Sequence, residues 1–241
     1  MKRTVLLIGG TGGIGFATAK RFHESGDNLV ITGTRQNRLD TALSDLPGAK
    51  GILWDLAESE RAKDYLNDAI SLYGSIDVVV NCAGILSVPD RKNDFFAVTP
   101  EVWRKVEAVN LQGVFFVCQA VAEYMIREGI RGHIVNVCSE MGFRPVWYPY
   151  GATKWGVRGL TYGLGRLLAP YGIVVNGIAP GHTATEMVGW SESDDLTEAS
   201  IPRGVMARPE EIADTIFYLA SDGAKNIMGH IVVSDGARHL Y

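Results

Sequence analysis

The chain has 241 residues, 46% of them hydrophobic and 21% charged, with 23 lysines and arginines against 27 aspartates and glutamates and a formal net charge of −4. This composition suffices for a large buried core and excludes a wholly disordered chain. The acidic balance argues against a general nucleic-acid binder, and no apolar run approaches the about 18 residues of a membrane span.

Thr4–Ile8 is a short β-branched run that ends in glycines and predicts a first buried strand. The apolar run Val5–Ile8 behind Met1-Lys2-Arg3 is too short for a signal-peptide core of about 7–15 residues. Ile14–Ser25 places Ile14, Ala17, Thr18 and Phe22 at helical spacing. Leu29–Thr32 reads as a second strand, and Asn37–Leu46 as a helix closed by Pro47-Gly48. Gly51–Trp54 reads as a third strand, Ser59–Tyr73 as a helix and Asp77–Val80 as a fourth strand. A long helical stretch over Pro100–Glu128 precedes a fifth strand at Ile134–Val137. Tyr150–Ala169 is helical, Ile173–Gly177 a sixth strand, Pro209–Ser221 helical and Ile231–Ser234 a last strand.

Strands alternating with helices imply βαβ units and a parallel sheet. Uniformly apolar strands such as Val78-Val79-Val80 imply burial on both faces. The expected fold is α/β: a doubly wound, Rossmann-like, mostly parallel sheet of about seven strands with helices on both faces. No linker, repeat or low-complexity segment divides the chain, so one domain over residues 1–241 is expected. Glu192, Asp194 and Asp195 mark the most polar stretch, a surface excursion after Gly181. Cys82, Cys118 and Cys138 are odd in number and sit in apolar runs without a CxxC pair, which reads as buried thiols in a reducing, cytoplasmic setting. Histidines 23, 133, 182, 230 and 239 show no metal-ligand spacing, so no metal is expected.

Gly9-Gly10-Thr11-Gly12-Gly13-Ile14-Gly15 joins the first strand to the first helix. A tight turn needs glycine, a pyrophosphate approaches bare backbone, and a helix N-terminus offers N–H donors. The run reads as GxGxxG from Gly10, Gly12 and Gly15, or equally as GxxxGxG from Gly9, Gly13 and Gly15. The second strand ends Thr32-Gly33-Thr34-Arg35 with no carboxylate to bind the ribose hydroxyls of NAD. Arginine attracts a 2′-phosphate. NADP is therefore expected over NAD, with Arg35 and Arg38 near the phosphate, although Arg35 can also be read as a solvated loop charge. Asp55 either accepts from the adenine amino group or caps a turn.

Tyr150 and Lys154 stand at i and i+4, on one face of a helix. A nearby cation lowers a phenol from its usual pKa of about 10 and suits it to acid–base work. Ser139 ends the fifth strand, where ligands bind in such sheets.

With these residues the chain resembles the short-chain dehydrogenase/reductase family, in its short single-domain branch, and is similar to 3-oxoacyl-carrier-protein reductases. The likeness covers nearly the whole chain. It includes Asn81-Cys82-Ala83-Gly84, Asn110, Ser139, Tyr150 with Lys154, Pro180-Gly181, Thr185, Glu210-Glu211-Ile212 and Ser234-Asp235-Gly236. The resemblance implies ketone reduction or alcohol oxidation with a nicotinamide cofactor. Tyr150 would exchange the proton, Ser139 would hold the substrate oxygen, Lys154 would hold the ribose and tune Tyr150, and Asn110 would support a water leading from Lys154 to solvent. It places the cofactor against Gly9, Thr11, Gly12, Gly13, Ile14, Gly15, Thr34, Arg35, Asp55, Leu56, Asn81, Ala83, Gly84, Tyr150, Lys154, Pro180, Gly181, Thr183 and Thr185. It also implies a homodimer or homotetramer paired through the two long helices, a small carbonyl or alcohol substrate, and no nucleic-acid or membrane partner.

Three positions depart from the family pattern. Ile8 stands where a threonine is usual, which removes one turn-stabilising hydroxyl. Cys82 replaces an asparagine, and the Ser139–Tyr150 segment is a residue or two short. Met141, Phe143, Trp147, Tyr148, His182, Met187 and Trp190 flank the site in sequence and read either as a pocket wall or as ordinary loop packing. Glu140 either faces away in a turn or meets a polar substrate group. Residues 187–203 are expected to form a lid, and Arg238–Tyr241 is an unusual tail that in this family often packs near a neighbouring subunit's site. A non-enzymatic NADP sensor on the same fold would have no reason to keep Ser139, Tyr150 and Lys154 together.

Overall fold

Val5 and Leu7 point to one face of the central sheet and Leu6 and Ile8 to the other, and all four are buried. The first strand is therefore covered on both sides, as its unbroken apolar run requires. The computed structural model describes residues 2–86, 95–191 and 193–240, so Glu192 and Tyr241 lie outside the described residues.

Seven strands form one sheet: β1 (Thr4–Ile8), β2 (Asn28–Gly33), β3 (Lys50–Leu53), β4 (Val78–Asn81), β5 (His133–Val137), β6 (Val174–Pro180) and β7 (Ile231–Ser234). Their order is β3-β2-β1-β4-β5-β6-β7, and every neighbouring pair is parallel. The order reverses between β1 and β4, which opens a crevice at the C-terminal strand ends, where such sheets bind ligands.

The helices are α1 (Gly13–Glu24), α2 (Gln36–Ser44), α3 (Ala62–Tyr73), α4 (Pro100–Glu107), α5 (Val114–Glu128), α6 (Pro149–Leu168) and α7 (Pro209–Leu219). One core joins Ala19 and Phe22 of α1 and Ile212 and Ile216 of α7 to Val5, Leu7, Val80 and Ile178. The other joins Leu66 of α3 and Val117, Val121 and Met125 of α5 to Leu6, Ile8, Val79 and Ile134. The fold expected from the sequence is the fold observed, with strand and helix ends shifted by at most three residues.

The stretch Pro100–Glu128 is one continuous rod with a change of winding inside it. Thr99 caps α4 by accepting from the Val102 N–H (3.3 Å), with Pro100 in the first turn. Residues Ala108–Gly113 are π-helical between α4 and α5. Such bulges are rare and gather at functional sites, and this one carries Asn110. By length and a mean hydropathy of 1.3 the rod could cross a membrane, but 56% of its most apolar stretch is buried within the fold. That is the pattern of a core helix.

Candidate active site

The glycine turn fills the crevice mouth beside β1. Gly9 has φ +80°, and a Cβ there would lie 2.7 Å from the Ala83 Cα. A Cβ on Gly15 would lie 2.0 Å from the Gly9 carbonyl oxygen. Turn, α1 and the segment after β4 thus meet at bare backbone. Gly12 caps α1 without a side-chain hydrogen bond, and the first turn of α1 holds no acidic residue. Its N–H donors face the crevice with a positive dipole end, a cradle that fits a pyrophosphate. Thr11 packs against Gly33, and Ile14 joins the core beside α1.

The hydroxyl expected to be lost with Ile8 comes from another strand. The buried Thr32 Oγ1 accepts from the Gly9 N–H at 3.1 Å, and the Thr32 carbonyl accepts from the Gly10 N–H at 3.0 Å. Thr32 is a site-supporting residue that the sequence reading missed. Its signal was a polar residue among the apolar ones of β2.

Thr34 and Arg35 are exposed at the end of β2, and Arg35 has no ion pair among the described residues. Arg38, on α2, is already engaged: its Nη2 donates to Glu186 Oε2 at 2.7 Å. Asp55 caps its own turn, accepting from the Ala57 N–H at 2.9 Å, and Leu56 beside it is buried against Gly113. Asn81 is buried at the end of β4 and donates to Asn136 Oδ1 at 2.8 Å, while its Oδ1 has no partner among the described residues.

At the end of β5, Ser139 begins a short turn, and its Oγ accepts from the Met141 N–H at 3.2 Å. That leaves the hydroxyl proton to donate, and a side-chain hydrogen bond joins Ser139 to Tyr150. Tyr150 and Lys154 lie one turn apart on α6, with the ammonium 5.5 Å from the ring centroid. Lys154 is 5% exposed and donates to the Val137 carbonyl at 3.0 Å. Asn110 is fully buried: its Oδ1 accepts from the Ile85 N–H at 2.8 Å and its Nδ2 donates to the Ile85 carbonyl at 2.9 Å. Both side chains border Gly84, where a Cβ would lie 3.5 Å from Asn110 Oδ1 and 3.6 Å from Lys154 Nζ. Serine, tyrosine, lysine and asparagine therefore converge from three segments: the end of β5, α6 and the π-helical stretch.

The electrostatics differ from the sequence expectation. Burial dominates at Tyr150 and pushes its phenol up to about 12, against a smaller lowering by the Ser139 hydrogen bond. Burial likewise moves the Lys154 ammonium below the ordinary lysine range. In the protein by itself the phenol holds its proton, because desolvation of the phenolate outweighs the Ser139 hydrogen bond.

On the far side of the crevice, β6 ends in Pro180, and Gly181 packs against Asp235. Thr183 Oγ1 donates to the Gly181 carbonyl at 3.1 Å, and Thr185 Oγ1 to the Thr183 carbonyl at 3.3 Å. The Thr185 methyl would lie 3.2 Å from a Cβ on Gly13, which sets Thr185 beside the start of α1.

The candidate wall residues divide. Tyr148 stacks on Tyr150 with centroids 6.4 Å apart, and Trp147 meets Tyr148 and Phe95. Phe143 is taken up elsewhere, packing under the Arg158 guanidinium at 4.0 Å and against His239. His182 faces Glu198 (3.6 Å), Met187 is exposed and the buried Trp190 N–H has no partner among the described residues. Glu140 is neither turned outward nor free. It is buried and paired with Arg238 of the C-terminal tail, with Arg144 3.7 Å away. Of the three thiols, Cys118 and Cys138 are buried and Cys82 is half-buried.

Against known proteins, the profile of the short chain dehydrogenase family matches residues 3–195. The chain belongs to the short-chain dehydrogenase/reductase family. It is 36% identical to a 3alpha-hydroxysteroid dehydrogenase from Mediterraneibacter gnavus, over 98% of this chain and 96% of that one. It is 33% identical to a 3-oxoacyl-acyl-carrier-protein reductase (FabG) from Thermotoga maritima, over 97% and 96%. An actinorhodin polyketide ketoreductase solved with NADPH superposes with a TM-score of 0.90 at 29% identity, covering 100% of this chain and 98% of that one. The protein is thus an oxidoreductase of the short-chain dehydrogenase/reductase family, whose members use NAD or NADP, with ketoreductases among its structural neighbours.

Proposed function

We propose that this short-chain dehydrogenase/reductase is NADP-dependent and interconverts a ketone and a secondary alcohol, with Tyr150 as acid and base. The observation that carries this reading is the meeting of Ser139, Tyr150, Lys154 and Asn110 beside the glycine turn. The bound cofactor supplies the hydride in reduction and takes it up in oxidation. The glycine turn and the first turn of α1 would hold its pyrophosphate, Asp55, Leu56, Asn81, Ala83 and Gly84 its adenosine side, and Lys154, Pro180, Gly181, Thr183 and Thr185 its nicotinamide side.

The residues of the chain do the rest. Ser139, whose Oγ accepts from the Met141 N–H, donates to the substrate oxygen and orients the carbonyl. Tyr150 keeps its proton until that oxygen gains negative charge, then gives it up. Lys154 holds ribose hydroxyls and steadies the phenolate left behind. Asn110, fixed by both bonds to Ile85, supports a water that returns the proton from solvent.

NADP is favoured because β2 is followed by Thr34-Arg35 without a carboxylate, and Arg35 is exposed and uncommitted among the described residues. One unit spanning the chain, with residues 187–203 as its lid, agrees with the short tether at each end of that stretch: Val188 N–H to the Thr185 carbonyl, and Arg203 N–H to the Gly236 carbonyl. A homodimer or homotetramer is supported by exposed apolar side chains on the long helices, including Trp103, Phe115, Trp155, Tyr162 and Leu167.

The test is NADPH oxidation by the purified protein across a panel of ketones. Turnover is expected, and Tyr150→Phe is expected to abolish it while sparing cofactor binding. Full activity in that variant overturns the mechanism.

A further inference from the structure

Glu140 follows Ser139 directly, yet its carboxylate points into the tail region instead of the crevice. It pairs with Arg238 and leaves Oε2 without a hydrogen bond among the described residues, facing Arg144 at 3.7 Å. Two guanidinium groups thus meet one buried carboxylate, an excess of one positive charge. Arg144 and Arg238 then line a cavity of about 410 Å³ whose remaining wall is Ala199, Ser200 and Pro202. The nearby Glu198 forms no ion pair with either arginine among the described residues; it faces the Ser200 hydroxyl (2.8 Å) and His182 (3.6 Å). Tyr148 connects the cavity to the chemistry. Its ring stacks on Tyr150, and its hydroxyl feels the charges of Glu140, Arg144 and Arg238.

We propose that this cavity is the specificity site for an anionic end of the substrate, a carboxylate held by Arg144 and Arg238, so that the preferred ketone carries an apolar body and an acidic terminus. This rests on the ketone-reductase reading above. Arginine suits the task because its planar fork matches a carboxylate with two parallel bonds. Glu140 acts as a positioning residue, holding Arg238 against the end of β5 while leaving Arg144 the freer of the two. The carbonyl would lie at Ser139 and Tyr150, the apolar body along Tyr148, and the acid in the cavity.

The test uses three aryl keto acids of increasing length, benzoylformate, benzoylpropionate and benzoylvalerate, each with its methyl ester. The readout is the ratio of kcat/KM for acid over ester with NADPH at low salt. At least one acid is expected to beat its ester by about tenfold, an advantage that salt erodes. Arg144→Gln is expected to bring the ratio close to one, and Glu140→Gln, which frees Arg238, to raise it. Ratios near one at all three lengths, or a ratio that survives Arg144→Gln, overturn the proposal. Calorimetric titration with the hydroxy acid reduced from benzoylpropionate gives a readout independent of turnover. Arg144-dependent binding without turnover of any ketone leaves the anion site standing and removes the reductase reading. Ketone turnover without acid preference does the reverse. Neither turnover nor binding overturns both.

Discussion

The Lys154 ammonium donates to the Val137 carbonyl over 3.0 Å, which ties the helix carrying Tyr150 to the strand that leads into Ser139. The bond fixes the spacing of the two groups proposed to meet the substrate oxygen. Lys154→Ala leaves a strand-end carbonyl unpaired at a buried position, a cost of about 1–3 kcal/mol. The expected result is a lower melting temperature together with a loss of kcat of at least about a hundredfold. Lys154→Arg keeps the charge but not the reach of a slim ammonium, and is expected to recover stability more than rate. Melting curves and steady-state rates on the same samples check this, and equal recovery of both would refute it.

Tyr150 and its surroundings set the pH behaviour. Burial holds the phenol protonated up to about 12. Reduction consumes the protonated form, so its rate is expected to stay flat through neutral pH and to decline only in strongly alkaline solution. Oxidation needs the phenolate, whose fraction grows about tenfold per pH unit below the pKa, so its rate is expected to climb across the same range. Rates in both directions from mildly acidic to alkaline pH check the sign. A reduction rate that halves near neutrality would show a phenol lowered by its lysine, as the bare i, i+4 spacing suggests.

That difference marks how far the sequence carries. Apolar strands and helical spacing were enough for the sheet, because residues such as Val5 and Leu7 have to find cover on one face and Leu6 and Ile8 on the other. Tyr150 and Lys154 were legible because i and i+4 share a helix face at any tertiary position. What burial does to them was not, since desolvation depends on everything packed around the site. Thr32 taking up the Gly9 N–H is a contact between strands, set by the register of β1 on β2. Glu186 holding Arg38 and Arg238 holding Glu140 join residues 148 and 98 positions apart, and no local pattern announces either pair. The π-helical winding around Asn110 was equally hidden, because its apolar residues continue the rod on both sides.

The Arg38–Glu186 pair bears on cofactor preference. Both side chains are substantially exposed, so the pair itself contributes about 0–1 kcal/mol. Arg35 has no such competitor among the described residues. Arg35→Ala is therefore expected to raise the KM for NADPH by about tenfold or more with little change for NADH, since a charge-assisted bond to phosphate is lost. Glu186→Gln releases Arg38 and is expected to lower the KM for NADPH by a few-fold. Parallel kinetics with both dinucleotides check the prediction, and comparable efficiency with NADH in the wild-type protein would refute it.

Two glycines of the turn separate folding from binding. A Cβ at Gly15 would sit 2.0 Å from the Gly9 carbonyl oxygen, a backbone atom that can move only by displacing the turn or the helix. Gly15→Ala is expected to cost about 3 kcal/mol, a fall in melting temperature of about 6–12 °C. Gly12 has an extended backbone at φ −175°, and a Cβ there meets nothing closer than Arg38 Nη1 at 3.8 Å. Gly12→Ala is therefore expected to fold with a stability change under about 1 kcal/mol. It nevertheless places a methyl group where the pyrophosphate would approach the start of α1, so dinucleotide affinity is expected to fall. Thermal melts paired with dinucleotide titration distinguish the two variants. A Gly12→Ala protein that binds NADPH as tightly as the wild type would remove the glycine turn from the cofactor site.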